Sequence, residues 1–330
     1  MAKHTLVVVE HEEGKVRRGS QEALALARRL AAAQGGRAVA AVLGHGVEAL
    51  AKDIARSGAD EVFHVDDDAL ARYTPDGYAT ALRALVAEIA PEWVLMSHTY
   101  LAQDLLPLVS SASGAPVISD CVDVEIEGER VVFLRQPYDA KLVARTIDRG
   151  PAPRFATLQS GAFSADELPT DHAGTVTRFG ASLAGAALRR NVIEVRSTGS
   201  KTVDLSSAEV IVAGGRGLGT KEKFEAHIGS LAKALGAAVG ASRPVVDSEW
   251  LPHEHQIGSS GQTVTPKLYL AIAISGAIQH SVGIRGSQVI VALNKDKDAP
   301  IFNEATYGIV GDADELIPEI VKAIAEAKQS

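Results

Sequence analysis

Apolar residues gather in short unbroken runs, and stretches with helical spacing separate them. In the first half the runs 6–9, 38–43, 62–65 and 94–96 are apolar without alternation, which predicts strands buried on both faces of a parallel sheet. Between them, Ser20 stands as N-cap of a helix running to residue 33, where Gly35-Gly36 stops it, and helical patterns cover 47–56 and 78–89. This βαβα order predicts a mostly parallel sheet with helices on both faces. After Pro116 the texture changes. The runs 117–126, 131–134, 142–147 and 155–159 read as strands joined by short turns such as Glu127-Gly128, an antiparallel extension of the same domain.

Residues 161–203 carry Pro169, Gly174, Gly180, Gly185, Gly199 and many Ser and Thr, and their only strand-like run is 192–195. They read as a connector. Order returns with strands at 210–213, 239–241, 268–274, 289–293 and 307–310. A helix is expected at 221–235, and an amphipathic one at 313–327 with Pro318 in its first turns. The fold expectation is therefore α/β in two domains. An N-terminal mixed or parallel βα sheet domain spans 1–187, a linker or hinge spans 188–205, and a C-terminal doubly wound parallel-sheet domain spans 206–330.

Length and charge narrow the picture. A chain of 330 residues can bury two cores, and 46% hydrophobic with 22% charged residues suits a globular protein. The net charge is −8 and no block of basic residues occurs, which argues against nucleic acid as the main partner. The single cysteine, Cys121, can form no intrachain disulfide and lies among apolar neighbours as a small core residue. No apolar run reaches the ~18 residues of a membrane span, and the N-terminus has no secretory pattern. The expected location is cytoplasmic, or the mitochondrial matrix for a processed eukaryotic chain.

The candidate chemistry lies where strands of the second half end. Gly214-Gly215-Arg216-Gly217-Leu218-Gly219 is neither G-x-G-x-x-G nor a P-loop, yet its glycines permit close backbone approach and Arg216 can meet a phosphate or carboxylate. Ser242-Arg243 ends the next strand. The loop Gln256-Ile257-Gly258-Ser259-Ser260-Gly261-Gln262 combines a flexible backbone with hydroxyls. The strand at 268–274 runs into Ser275-Gly276-Ala277-Ile278-Gln279-His280, and the following strand ends in Asn294. Asp312, before Ala313, offers a carboxylate that can serve a ribose or cap a helix. His253-Glu254-His255 lacks the spacing of a helical zinc site and reads as a polar loop. In the first half, Glu10-His11 and Ser97-His98-Thr99 are polar strand ends without a glycine-rich loop, and neither is taken as catalytic.

The block from 268 to 294, with Ser-Gly-Ala-Ile-Gln-His intact, resembles the signature of the electron transfer flavoprotein α subunit. The resemblance implies a carrier of one non-covalent FAD, paired with a β subunit on which the first domain packs. Such a carrier accepts electrons from flavoprotein dehydrogenases and passes them singly to a quinone oxidoreductase or similar acceptor, with no substrate chemistry of its own. It implies FAD contacts from Arg216, from Ser242-Arg243, and from Ile257, Gly258, Ser259 and Ser260. Further contacts come from Ser275, Gly276, Ala277, Ile278, Gln279 and His280, and from Asn294, Asp312 and Ala313. Arg243 lies against the flavin in that family. Arg243 and His280 are then expected as cationic or hydrogen-bonding groups that favour a negatively charged flavin. The family loop usually reads Gln-Val-Gly-Gln-Thr-Gly-Lys. Ser259, Ser260 and Gln262 depart from it, and Ser260 keeps the hydroxyl that can donate to flavin N5. The alternatives are a nicotinamide-dinucleotide dehydrogenase subunit, a bifurcating relative, or a subunit that has lost its cofactor. The missing G-x-G-x-x-G and ribose-binding acid count against the first.

Overall fold

A computed structural model describes residues 3–328 apart from 13, 129, 167, 182, 184–187, 196–204, 206 and 207. The chain divides into two compact units, Met1–Arg196 and Ser197–Ser330. The first unit begins with β1 (Thr5–Val9), the short antiparallel pair β2 (His11–Glu12) and β3 (Lys15–Val16), and α1 (Arg18–Gln34). It continues through β4 (Ala38–Gly44), α2 (Glu48–Arg56), β5 (Glu61–Asp66), α3 (Pro75–Ile89), β6 (Trp93–Ser97) and α4 (Tyr100–Ala112). The remaining elements are β7 (Val117–Glu127), β8 (Arg130–Arg135), α5 (Pro137–Ala140), β9 (Ala144–Thr146), β10 (Arg154–Leu158) and β11 (Thr175–Arg178). They form a nine-stranded sheet in the order β11-β5-β4-β1-β6-β10-β7-β8-β9. One face packs against α1 and α2, the other against α3 and α4, as the βαβα pattern predicts.

Five details differ from the sequence expectation. Ser20 lies inside α1, whose N-cap is Arg17; its hydroxyl accepts from the Glu10 amide at 2.8 Å, serving the β1 end instead. Helix α4, with Pro107 inside it, was not expected. Thr99 starts the helix by accepting the Ala102 amide, and Leu105, Leu106 and Val109 bury one face. The antiparallel extension holds for β7, β8 and β9, but β10 runs parallel between β6 and β7. Phe155, Ala156 and Leu158 are all buried, and that position covers both faces of the strand. The connector contributes β11, paired parallel to β5 at the sheet edge. No strand forms at 192–195, where Ile193 and Val195 are exposed.

The expected connector, 188–205, falls largely on 196–204, outside the described residues. Its described ends are held. The Arg189 amide and the Arg190 guanidinium both bind Asp76 of α3, and Leu205 is buried in the second unit's core. Cys121 is fully buried, in agreement with its reading as a core residue, and burial pushes its thiol up to about 12.

The second unit comprises β12 (Val210–Gly214), α6 (Lys221–Leu235), β13 (Ala238–Ala241), α7 (Arg243–Asp247), β14 (Leu268–Ile272), α8 (Ile278–Ser281), β15 (Val289–Asn294), β16 (Tyr307–Val310) and α9 (Ala313–Ala327). Its five strands are all parallel in the order β13-β12-β14-β15-β16. Phe224, Ile228 and Leu231 of α6 and Ile317 of α9 pack on Val212, Leu270, Ile272 and Leu293. Burying each such side chain is worth about 1.5–3 kcal/mol. The opposite face, Ile211, Tyr269, Ala271 and Ile290, is covered by Leu205, Ile257, Val264, Ile284 and Ile301 from loops and turns rather than long helices. The crossover from β13 to β14 carries Pro244, Pro252, Gly258, Gly261 and Pro266, which prevents a long helix there.

Candidate functional site

The parallel registers bring the strand ends together: Gly214 lies opposite Ala241 and Ile272, Ile272 opposite Leu293, and Asn294 opposite Val310. Arg216, Ser242-Arg243, the 275–280 segment, Asn294 and Asp312-Ala313 therefore follow, or end, a strand at one carboxyl edge, and the 257–260 loop is brought to it by the Ile257 amide, which donates to the Ala241 carbonyl. In this strand order the connections leave β12 and β14 to opposite sides, which opens a crevice there.

Glycines let the loops meet at that crevice. The Gly215 amide donates to the Ile272 carbonyl at 2.8 Å, and a Cβ on Gly215 would overlap the Ala273 carbonyl oxygen. Ala273 itself sits at φ 53°, a left-handed conformation that only a tightly determined turn holds in a non-glycine residue. Arg216 is exposed in the 3-10 turn Arg216–Leu218, with no ion-pair partner among the described residues. Its charge is free to meet an anion. The Ser242 amide donates to the Gly214 carbonyl at 3.1 Å, and Ser242 starts α7 without capping it through its side chain. Arg243 is exposed and its Nε lies 3.4 Å from Asp247.

The loop 256–262 is held at both ends. The Ile257 amide donates to the Ala241 carbonyl and the Ser259 amide to the Gln279 carbonyl, at 2.9 and 2.7 Å. Gly258 adopts φ 138° and lies against the backbones of Gln279 and Gly283, where any side chain would collide. Gln262 accepts from the Leu205 amide and donates to the Glu254 carbonyl, so the residue that replaces the family lysine braces the loop. Buried Gln256 donates through Nε2 to Ser260 Oγ at 3.0 Å. Gln256 was not among the expected site residues, although it opens the loop that the sequence pointed to and matches the glutamine of the family loop.

After β14, Gly276 (φ 81°) allows the chain to press on Ile301, whose amide donates to the Ser275 carbonyl. Ser275, Ala277, Ile278 and Gln279 are exposed along this segment. His280 is turned inward. Its Nδ1–H donates to the Ile257 carbonyl at 3.1 Å, and Nε2 lies 2.9 Å from the Tyr269 hydroxyl. Burial pushes its pKa down to about 4, so the ring is neutral at ordinary pH. The ring is therefore not the cation expected from the sequence, and both its nitrogens hydrogen-bond within the protein.

Asn294 and Asp312 also have local duties. Asn294 donates to the Ile274 carbonyl and accepts from the Asp296 amide, both at 2.9 Å. Asp312 caps α9 by accepting from the Asp314 amide at 2.9 Å, just before buried Ala313. At the edge of the second unit's sheet, His255 donates to the Val239 carbonyl at 2.7 Å, and His253-Glu254-His255 forms a 3-10 turn. No cluster of three or more His, Cys, Asp or Glu among the described residues is arranged to hold a metal. No helix there is long and apolar enough to cross a membrane. The exposed donors fit an anionic dinucleotide: Arg216 and Arg243 supply charge, and Ser259, Ser260, Ser275 and Gln279 supply polar groups along one crevice.

Comparison with known sequences agrees with this geometry. The electron transfer flavoprotein domain matches residues 5–184, and the electron transfer flavoprotein FAD-binding domain matches residues 204–285. The electron transfer flavoprotein subunit alpha of Bacillus subtilis is 40% identical over 318 residues, covering 96% of both chains. Protein FixB of Clostridium saccharobutylicum is 39% identical, covering 98% of this chain and 96% of its own. The acryloyl-CoA reductase electron transfer subunit beta of Anaerotignum propionicum is 35% identical, with 98% and 96% covered. The nicotinamide alternative is not favoured, and the cofactor of the second unit is FAD. With its fold, its crevice and these matches, the chain belongs to the electron transfer flavoprotein α-subunit family.

Proposed function

We propose that this chain accepts electrons from flavoprotein dehydrogenases and passes them singly to a quinone oxidoreductase or similar acceptor. It works in the cytoplasm as the FAD-bearing half of a heterodimer with a β subunit. The observation that carries this reading is the convergence of Arg216, Ser242-Arg243, the 257–260 loop and the 275–280 segment on the β12–β14 crevice. FAD supplies the electron storage. The chain's residues bind and tune it. Arg216 and the backbone amides of its loop hold phosphate charge, Arg243 places a cation by the ring, and Ser260 donates to it. Asn294, Asp312, Ala313 and His280 complete the walls around the cofactor.

In stopped-flow mixing, a dehydrogenase reduced by its own substrate bleaches the FAD absorbance of the purified heterodimer. A flavin that stays oxidised with such donors and is bleached by NADH would overturn the reading in favour of a bifurcating relative. The linker at 188–205 serves in this reading as the hinge that turns the flavin between donor and acceptor. Shortening it within 196–201 slows transfer while FAD content is retained, and unchanged rates with both partners refute the hinge.

A further inference from the structure

We infer that Gln256 is a positioning residue that presets the Ser260 hydroxyl as a donor toward the flavin. The inference rests on the reading that Ser260 faces the cofactor. A serine hydroxyl has one proton and two lone pairs, and nothing in its covalent structure decides where the proton points. Here the Gln256 Nε2–H occupies a lone pair of Ser260 Oγ at 3.0 Å. A hydroxyl that accepts from that side directs its own proton away from it, and Ser260 is exposed, with no acceptor for that proton among the described residues.

The amide can do this because it cannot move. Gln256 is 3% exposed and its main chain is pinned: its backbone N–H donates to the His253 carbonyl at 2.9 Å, and its backbone carbonyl accepts from the Gln262 backbone N–H at 2.7 Å. Gly261 fits directly over that carbonyl, where a Cβ would overlap it. Serine lacks the methyl that restricts χ1 in threonine, so the hydroxyl at 260 depends more on an outside restraint than threonine would. Gln256 provides that restraint.

Gln256→Glu is the discriminating substitution. A carboxylate is acceptor-only, so it draws the Ser260 proton inward and removes the donor from the flavin side. Reduction adds electron density to the ring, and a donor stabilises that density, so its loss lowers the flavin midpoint potential. In redox titrations of the intact FAD-loaded heterodimer, Gln256→Glu and Ser260→Ala each shift the potential downward. In the double variant Gln256→Glu adds nothing to Ser260→Ala. At low pH the protonated carboxyl again offers an O–H to Ser260, and the difference from wild type measured at the same pH shrinks. Should the carboxylate variant not assemble, Gln256→Met, of similar shape and without the N–H, gives a smaller downward shift that also vanishes in the Ser260→Ala background. A Gln256 effect that persists undiminished without the Ser260 hydroxyl overturns the inference. So does an unchanged potential in the Gln256 variants. If Ser260→Ala itself leaves the potential unchanged, the placement of Ser260 at the flavin fails as well.

Discussion

The Tyr269 hydroxyl lies 2.9 Å from His280 Nε2, and both side chains are buried between β14 and the segment that follows it. Because His280 Nδ1–H is committed to the Ile257 carbonyl, Tyr269 is the donor and Nε2 the acceptor. The pair therefore locks the 275–280 segment to the strand and to the 256–262 loop. Tyr269→Phe leaves a buried acceptor without a donor and costs about 1–3 kcal/mol. Denaturant unfolding of the heterodimer reports it, and a midpoint equal to wild type would remove Tyr269 from this role.

The same pair makes the second unit sensitive to acid. Histidine titrates near 6.5 when exposed, and burial lowers His280 to about 4. Between those values the unfolded chain binds more protons than the folded one. The stability is therefore fully present above about pH 6.5 and falls as pH drops toward 4, by as much as about 3 kcal/mol. His280→Gln flattens this part of the pH profile. An equally steep fall in the variant would assign it elsewhere.

Glu22 gives the opposite sign in the first unit. It is a buried residue of α1 that accepts from the Gly161 amide at 2.7 Å and faces Arg18 at 3.5 Å, yet burial raises its pKa to about 7. The folded chain holds this proton where the unfolded chain, near 4.5, has lost it. Stability is thus full below 4.5 and declines as pH rises to about 7. Glu22→Gln raises stability at pH 8 by about 2–3 kcal/mol and changes little at pH 4. Amide exchange protection in β1 and β10 measures the difference, and a loss of protection at pH 8 would contradict it.

Arg243→Ala removes an exposed cation next to the crevice. For a partly solvated charge about 1 kcal/mol is at stake, equivalent to a downward shift on the order of 40 mV for one electron. FAD content changes little, since several loops hold the dinucleotide. An unaltered potential would separate Arg243 from flavin tuning.

Gly215→Ala forces a methyl into the Ala273 carbonyl and opens the contact between the β12 and β14 ends. The expected result is a loss of about 1–3 kcal/mol and of bound FAD. Gly229→Ala is the matched control. Gly229 is exposed inside α6 with nothing near its absent Cβ, and alanine there raises helix stability by about 0.5–1 kcal/mol. Equal FAD occupancy in the two variants would refute the close-approach argument.

The sequence by itself determined the elements whose signals are local. The run 268–272 is apolar throughout, α9 begins at Ala313 after its capping Asp312, and the glycines at 214, 215 and 217 announce a crowded turn. It also placed the candidate residues at strand ends, because parallel strands in one sheet share a carboxyl edge. Tertiary structure decided what depends on segments far apart in the chain. The position of β10 between β6 and β7 follows from burial on both faces, and α4 forms despite Pro107 because Leu105, Leu106 and Val109 gain a core to pack on. Likewise, the direction of a polar side chain is set by its partner. His280 turns inward because Tyr269 and the Ile257 carbonyl meet both its nitrogens, and Ser260 is aimed outward because Gln256 occupies its other side. A hydrogen bond specifies orientation only once both groups are in place, and only the folded sheet brings them there.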